Sequence, residues 1–261
     1  MNRLTATLSN LKSNNQKALV AYLVAGDPDM DTTLDLMHLF VDSGVDVIEI
    51  GVPFTDPIAE GPTIQRAHDR ALKNNISLKM ILSLVDKFRE TNKDTPIVLM
   101  GYLNTFISHI DMVQATGKDG IDSILVVDIP GELNLEGYGI NNPNINTISL
   151  ISPTTKENRV ELIANNSTGF IYYVNLRGVT GSSNLDVSEI ESNINRIKQY
   201  TDLPTLAGFG IKSAEDARTL AKVSDGIIIG SYIVEMINEA TKTKEFDRIG
   251  NYLKEIKTAI S

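Results

Sequence analysis

Short apolar runs rich in Val, Ile and Leu recur along this chain, with longer amphipathic segments between them. The runs cover residues 18–25, 45–50, 97–102, 123–127, 146–151, 169–174, 205–207 and 226–229. Most are near-continuous rather than alternating, the pattern of strands covered on both faces. The intervening segments carry helical spacing. Met30, Leu34, Met37 and Val41 fall on one stripe, with Asp29 or Asp31 as N-cap and Gly44 closing the segment. Ile81, Leu84, Val85 and Phe88 repeat the pattern, and Ile249, Leu253, Ile256 and Ile260 form a final amphipathic helix. Ser213 and Asp216 have the spacing of a capping box.

Eight strands alternating with helices in 261 residues is the rhythm of an α/β fold closed as a single (β/α)8 TIM barrel, here with an extra N-terminal helix. The fourth unit is the thinnest, because the stretch between Pro130 and Pro143 has room only for a short helix. A doubly wound open sheet would bring a glycine-rich fingerprint after the first strand, and Ala25-Gly-Asp-Pro28 is not one. No linker, low-complexity tract or composition shift divides residues 1–261, which read as one domain.

Composition narrows the classes. Apolar content of 42% and charged content of 22% are those of a globular protein. A net charge of −9 argues against a nucleic-acid partner held through phosphates. Backbone amides can still bind an anionic ligand. The chain has no cysteine, which excludes disulfides and thiolate metal sites. No run approaches the roughly 20 apolar residues of a membrane span, and residues 1–14 are polar. The expectation is a soluble, cytoplasmic protein.

In such a barrel the chemistry lies at the C-terminal ends of the strands. There the chain offers Tyr22 and Asp27, Glu49 with an acidic loop carrying Asp56 and Glu60, Tyr102 and Asn104, Asp128, Ser152, Tyr172 and Tyr173, Gly178-Val-Thr-Gly181, Gly208-Phe-Gly210, and Gly230-Ser231. No lysine lies inside a predicted strand, which removes the nucleophile of a Schiff-base mechanism. The three histidines (His38, His68 and His109) form no ligand cluster, so no metal is expected. Carboxylate and tyrosine acid–base chemistry remains. Glu49 shares a strand face with Val45 and Val47, and burial there would raise its pKa toward neutrality, as suits a group that gives and takes a proton. An interior ion-pair partner is the alternative for Glu49, and a solvated loop charge the alternative for Glu60. Prolines 53, 57 and 62 stiffen the acidic loop. Glycines after the sixth, seventh and eighth strands, with Ser231 opening a helix, form a candidate phosphate site.

These residues resemble a known family. Glu49-Ile-Gly-Val-Pro-Phe-Thr-Asp-Pro-Ile-Ala-Glu-Gly-Pro-Thr-Ile-Gln65 is similar to the signature of the tryptophan synthase alpha chain. The similarity extends through Ala21-Tyr-Leu-Val-Ala-Gly-Asp-Pro28, Met100-Gly-Tyr-Leu-Asn104, residues 172–181, Gly208-Phe-Gly-Ile211 and Gly230-Ser231. The resemblance implies cleavage of indole-3-glycerol phosphate to indole and glyceraldehyde 3-phosphate. It also implies an alpha2beta2 complex with a beta chain that holds the pyridoxal phosphate, this chain having no cofactor of its own. By position, the resemblance makes Glu49 the general acid–base and Glu60 the acceptor of the indole N–H. Tyr22, Met100, Tyr102, Leu125, Val127, Ile151, Tyr172 and Thr180 become the substrate pocket. Gly181, Phe209, Gly210, Gly230 and Ser231 become the phosphate site, and Phe54, Asp56, Pro57 and Asn104 the surface toward the beta chain.

The sequence departs from the family at Glu60, where an aspartate is usual. A carboxylate one methylene longer can be displaced by about an ångström, a scale that can cost on the order of a hundredfold in rate. Residues 131–133 and 175–177 also look unusual. Two alternatives follow: another phosphate-binding barrel of indole or histidine biosynthesis, or a weakly active chain that mainly activates the beta chain.

Overall fold

The computed structural model describes residues 2–117, 119–174 and 186–261. Eight parallel strands close into a barrel in sequence order, each paired to the next and β8 to β1. They are β1 (Ala18–Val24), β2 (Val47–Gly51), β3 (Ile97–Gly101), β4 (Ser123–Val126), β5 (Asn146–Ile151), β6 (Ile171–Val174), β7 (Thr205–Gly208) and β8 (Gly226–Ile229). The helices are α1 (Arg3–Ser13), α2 (Met30–Asp42), α3 (Pro62–Leu72), α4 (Leu78–Thr91), α5 (Leu103–Ile107), α6 (Ile110–Ala115), α7 (Glu157–Asn166), α8 (Val187–Ile197), α9 (Ala214–Val223), α10 (Ser231–Thr243) and α11 (Asp247–Ile260). The expected (β/α)8 barrel with an N-terminal extra helix is what forms.

Two apolar layers hold it together. Inside the barrel, Val20, Val47, Val98, Leu125, Ile148, Phe170, Leu206 and Ile228 meet one another. Leu4, Leu8 and Leu11 of α1 join them and plug the N-terminal end. Outside, the alternate strand residues pack on the surrounding helices. Asp29 is the N-cap of α2 and Asp31 lies in its first turn; the Ser213–Asp216 capping box opens α9. Between β4 and β5 only a short 3-10 turn (Leu135–Tyr138) forms, in keeping with the room available.

The start of β2 differs from expectation. Val45 precedes the strand and is buried in the outer layer, so it does not share a face with Glu49. The strand begins after Asp46, because that side chain turns back to accept a hydrogen bond from the Leu19 amide (2.7 Å) and pairs with Lys257 (2.6 Å). The same device recurs. Asp122, just before β4, accepts from the Ile97 amide (2.8 Å), and Asp225, just before β8, from the Thr205 amide (2.8 Å). Each aspartate locks the entry of the preceding strand and carries a cation: Lys198 on Asp225 (3.0 Å), and Arg3 (2.9 Å) and Arg89 (3.0 Å) on Asp122. Conserving the register at this end fixes where the strands finish at the other.

The Asp122 cluster is the most deeply buried of the three, with both Asp122 and Arg89 2% exposed. Removing one partner of a buried pair strands the other charge. Asp122→Ala is therefore expected to lower unfolding free energy by about 3–5 kcal/mol in urea titrations, and a loss below about 1 kcal/mol, the size of a surface pair, would contradict this reading of the closed end.

Candidate active site

At the open end the inward positions pass from Tyr22 on β1 through Glu49, Met100, Leu125 and Val127 to Leu150 and Tyr172. Glu49 lies level with Tyr22 on one side and Val98 on the other. It is 1% exposed, and its Oε1 has no hydrogen-bond partner. A buried carboxyl without a cation or donor holds its proton, because ionisation would place a charge in a low-dielectric wall. Burial first, and the neighbouring Glu60 second, push the Glu49 carboxyl up to about 8. Burial pushes the half-buried Glu60 up to about 7.

The other carboxylates near the strand ends are committed elsewhere. Asp27 forms a two-pronged pair with Arg70 of α3, both contacts at 2.7 Å. Asp128 accepts the Leu103 amide at 2.8 Å and so caps α5. Ser152 exchanges hydrogen bonds with Thr154 and Thr155. Asp56 is exposed. Among the described carboxyls at this end, Glu49 and Glu60 combine burial with a pKa raised toward or past neutrality.

Glu60 is placed by a frame that spans residues 52–61. The Phe54 amide donates to His68 Nδ1 (3.0 Å), and the Phe54 ring stacks on Tyr102 with centroids 4.5 Å apart. The Ala59 amide donates to the Tyr102 hydroxyl (3.0 Å), and Gln65 Nε2 donates to the Glu60 carbonyl (2.9 Å). Burial holds His68 down to about 4, so it stays neutral and keeps Nδ1 free to accept. Two prolines stiffen this loop rather than three, since Pro62 is the first turn of α3 behind Gly61. From sequence, His68 stands out only as a histidine outside any ligand cluster and Gln65 only as the last residue of the motif. Neither is therefore expected to anchor the loop, although both fall on the first turns of the helix that follows it.

Two tyrosines lean across neighbouring strands. Tyr22 lies over Gly51 of β2, where any Cβ would collide with its hydroxyl. Tyr172 lies over Gly208 of β7, where a Cβ would stand 2.7 Å from its ring. The glycines are small so that the rings can fold inward; neither has a positive φ. Ile151 is a correction to the expected pocket. It is buried in the outer layer, level with Tyr173, because alternation along β5 turns Leu150 inward beside Met100, Val127 and Tyr172.

On the opposite rim, Gly210 adopts a positive φ of 56° and Phe209 packs on Tyr173 (5.4 Å). Gly230 opens α10 with no side-chain cap, so the amides beginning at Ser231 point at the mouth with the helix dipole behind them. Val234 of that helix touches the cluster containing Tyr22, which puts this terminus beside the carboxyl wall. Thr180 and Gly181 lie outside the described residues. Among the described residues no group of His, Cys, Asp and Glu could hold a metal ion, and no helix is long and apolar enough to cross a membrane.

A closed barrel with a buried glutamate on β2 and an uncapped helix terminus after β8 matches one family along its length. The family model for the tryptophan synthase alpha chain covers residues 8–260. The chain belongs to the tryptophan synthase alpha chain family. The alpha chain of Nitrosomonas europaea is 44% identical over 263 residues, spanning 100% of this chain and 96% of that one. That of Neisseria meningitidis serogroup B is 47% identical over 247 residues and 94% of each chain. The crystal structure of the alpha subunit from Legionella pneumophila str. Paris is 38% identical with a TM-score of 0.91, covering 100% of this chain and 98% of that one. Membership brings the family's activity, a carbon–carbon lyase step of tryptophan biosynthesis that cleaves indole-3-glycerol phosphate. The family works in complex with a beta chain, which holds the pyridoxal phosphate. The alternative of another phosphate-binding barrel is thereby removed.

The raised carboxyl pKa values have a thermodynamic sign. Glu49 binds its proton more tightly in the folded chain than at the ordinary 4.5. Between about 4.5 and 8 the folded state therefore holds more protons, and stability falls as pH rises. Glu49→Gln removes that loss. In thermal melts its Tm is expected to exceed that of wild type at pH 8.5 and to converge with it below pH 5; a gap independent of pH would contradict the buried, protonated carboxyl.

Proposed function

We propose that Glu49 and Glu60 divide the proton work of indole-3-glycerol phosphate cleavage. Glu49, protonated at neutral pH, gives its proton to C3 of the indole ring, while the Glu60 carboxylate accepts the ring N–H as positive charge develops there. The Glu49 carboxylate then takes the proton of the neighbouring glycerol hydroxyl. That oxygen forms the aldehyde C=O, the carbon–carbon bond breaks, and its electron pair passes into the ring to restore neutral indole. Glu49 ends with the proton it began with, and glyceraldehyde 3-phosphate leaves. The observation that carries this reading is the pairing of the buried, unpartnered Glu49 at the end of β2 with the partly buried Glu60 of the following loop, with pKa values of about 8 and about 7.

The substrate's other parts follow from the walls. Tyr22, Met100, Tyr102, Leu125, Val127, Leu150 and Tyr172 enclose the ring, and the amides around Gly210, Gly230 and Ser231 hold the phosphate. Phe209, Thr180 and Gly181 complete this rim by family position. The exposed Asp56 and Asn104, with the half-buried Pro57 and Phe54, form the face toward the beta chain, continuous with the frame that places Glu60. Residues 1–261 act as one domain, and the absence of cysteine suits work in the cytoplasm.

Activity requires Glu49 protonated and Glu60 ionised, so its pH profile is a narrow bell with limbs near 7 and near 8 that belong to the pair. Glu49→Gln is expected to reduce indole release roughly a hundred- to ten-thousandfold. Retained activity in that variant would overturn the assignment. A wild type that released no indole even with the beta chain present would leave activation of the partner as its work.

A further inference from the structure

Among the described residues, Glu49 Oε1 and Tyr22 Oη are buried polar atoms on adjacent strands of the mouth that lack partners. The first is accounted for by the proton transfers above. The second is not, since a wall of the indole pocket needs only the ring of residue 22. Tyr22 is 2% exposed and level with Glu49 on the adjacent strand. Its hydroxyl lies over Gly51, which is two residues from Glu49 on the same face of β2. The other phenols of the mouth are placed differently. Tyr172 stands on β6, which is not paired to β2, with its ring over Gly208 of β7, and the Tyr102 hydroxyl already accepts the Ala59 amide. An unpaired buried hydroxyl destabilises the folded chain. It becomes useful when a partner forms during the reaction.

We infer that Tyr22 is a positioning residue for the lyase step, whose O–H donates a hydrogen bond to the Glu49 carboxylate formed when Glu49 has protonated the indole ring. This rests on the assignment of Glu49 above. The transferred proton passes from Glu49 to the ring carbon, and Tyr22 keeps its own: burial and the nearby carboxyls hold the phenol well above its ordinary range. Among the described residues the titratable groups that act on or are acted on by Glu49 are Glu60 in the loop after β2, Tyr22 on β1 and Tyr172 on β6, with Tyr102 at the end of β3 near Tyr22. From α3 and α10, the apolar side chains Ile64, Ala67, Ala71 and Val234 share a buried cluster with Tyr22. Among the described residues none of these groups is a cation, and a neutral donor on the neighbouring strand can steady the transient anion.

Tyr22→Phe tests this without disturbing shape. Indole release is measured against pH for wild type, Tyr22→Phe and Glu49→Gln with the cognate beta chain present, together with thermal melts. Loss of the donor is expected to lower kcat about tenfold or more. Because a donor favours the carboxylate, its loss should also move the alkaline limb upward by about one pH unit. The Tm of Tyr22→Phe should equal or exceed that of wild type, as the hydroxyl has no partner at rest. If Glu49→Gln is inactive while Tyr22→Phe keeps the wild-type kcat and the same alkaline limb, the role of Tyr22 is wrong and that of Glu49 stands. If Glu49→Gln remains active, the assignment of Glu49 fails, and this inference with it. A lowered Tm in Tyr22→Phe would show a partner in the resting protein and also overturn it.

Discussion

The open end of this barrel is organised by the cost of ionising a carboxyl inside an apolar wall. Among the described residues Glu49 has no cation beside it and no donor on Oε1, so its proton stays on near neutrality. An ion pair at this position would have lowered its pKa and removed the acid. Nearby carboxylates are kept out of the contest by commitments of their own, Asp27 to Arg70 and Asp128 to the start of α5. Glu60 remains as the second proton-holding group, and its place is set by the hydrogen bonds of the loop that carries it.

The two ends of the barrel use carboxylates in opposite ways. At the closed end, Asp46, Asp122 and Asp225 are ionic partners that accept strand-entry amides and bind cations. At the open end, a carboxyl is left unpaired so that it can act. The buried and partly buried ion pairs stand where the strands start, and the unpaired carboxyl stands where they finish. The separation lets a fold of this size carry buried, unpartnered atoms such as Tyr22 Oη and Glu49 Oε1.

Much of this was legible in the chain itself. Near-continuous apolar runs with helical segments between them gave the barrel, and the stretch from Glu49 to Gln65 pointed to the reaction centre and to the family. The finer placement was not. Whether Ile151 or Leu150 faces inward depends on where β5 begins pairing, a tertiary property that a run of apolar residues does not reveal. Val45 fell outside its strand because Asp46 is drawn to Leu19 and Lys257, which are distant in sequence. The recurring Gly-x-Asp at residues 44–46 and 120–122 was a visible signal for the closed end. His68 and Gln65 gave none beyond being polar residues on a helix, since their partners are backbone groups of a loop.

The central claim is that Glu49 rests protonated at neutral pH because the barrel wall desolvates it. It can be read directly by a carbon-13 NMR titration of glutamate-labelled protein, with the Glu49 carboxyl resonance assigned by its loss in Glu49→Gln. A titration midpoint of about 8 is the result expected. A midpoint at the ordinary 4.5 would mean a solvated or paired carboxylate at rest, and would contradict the account.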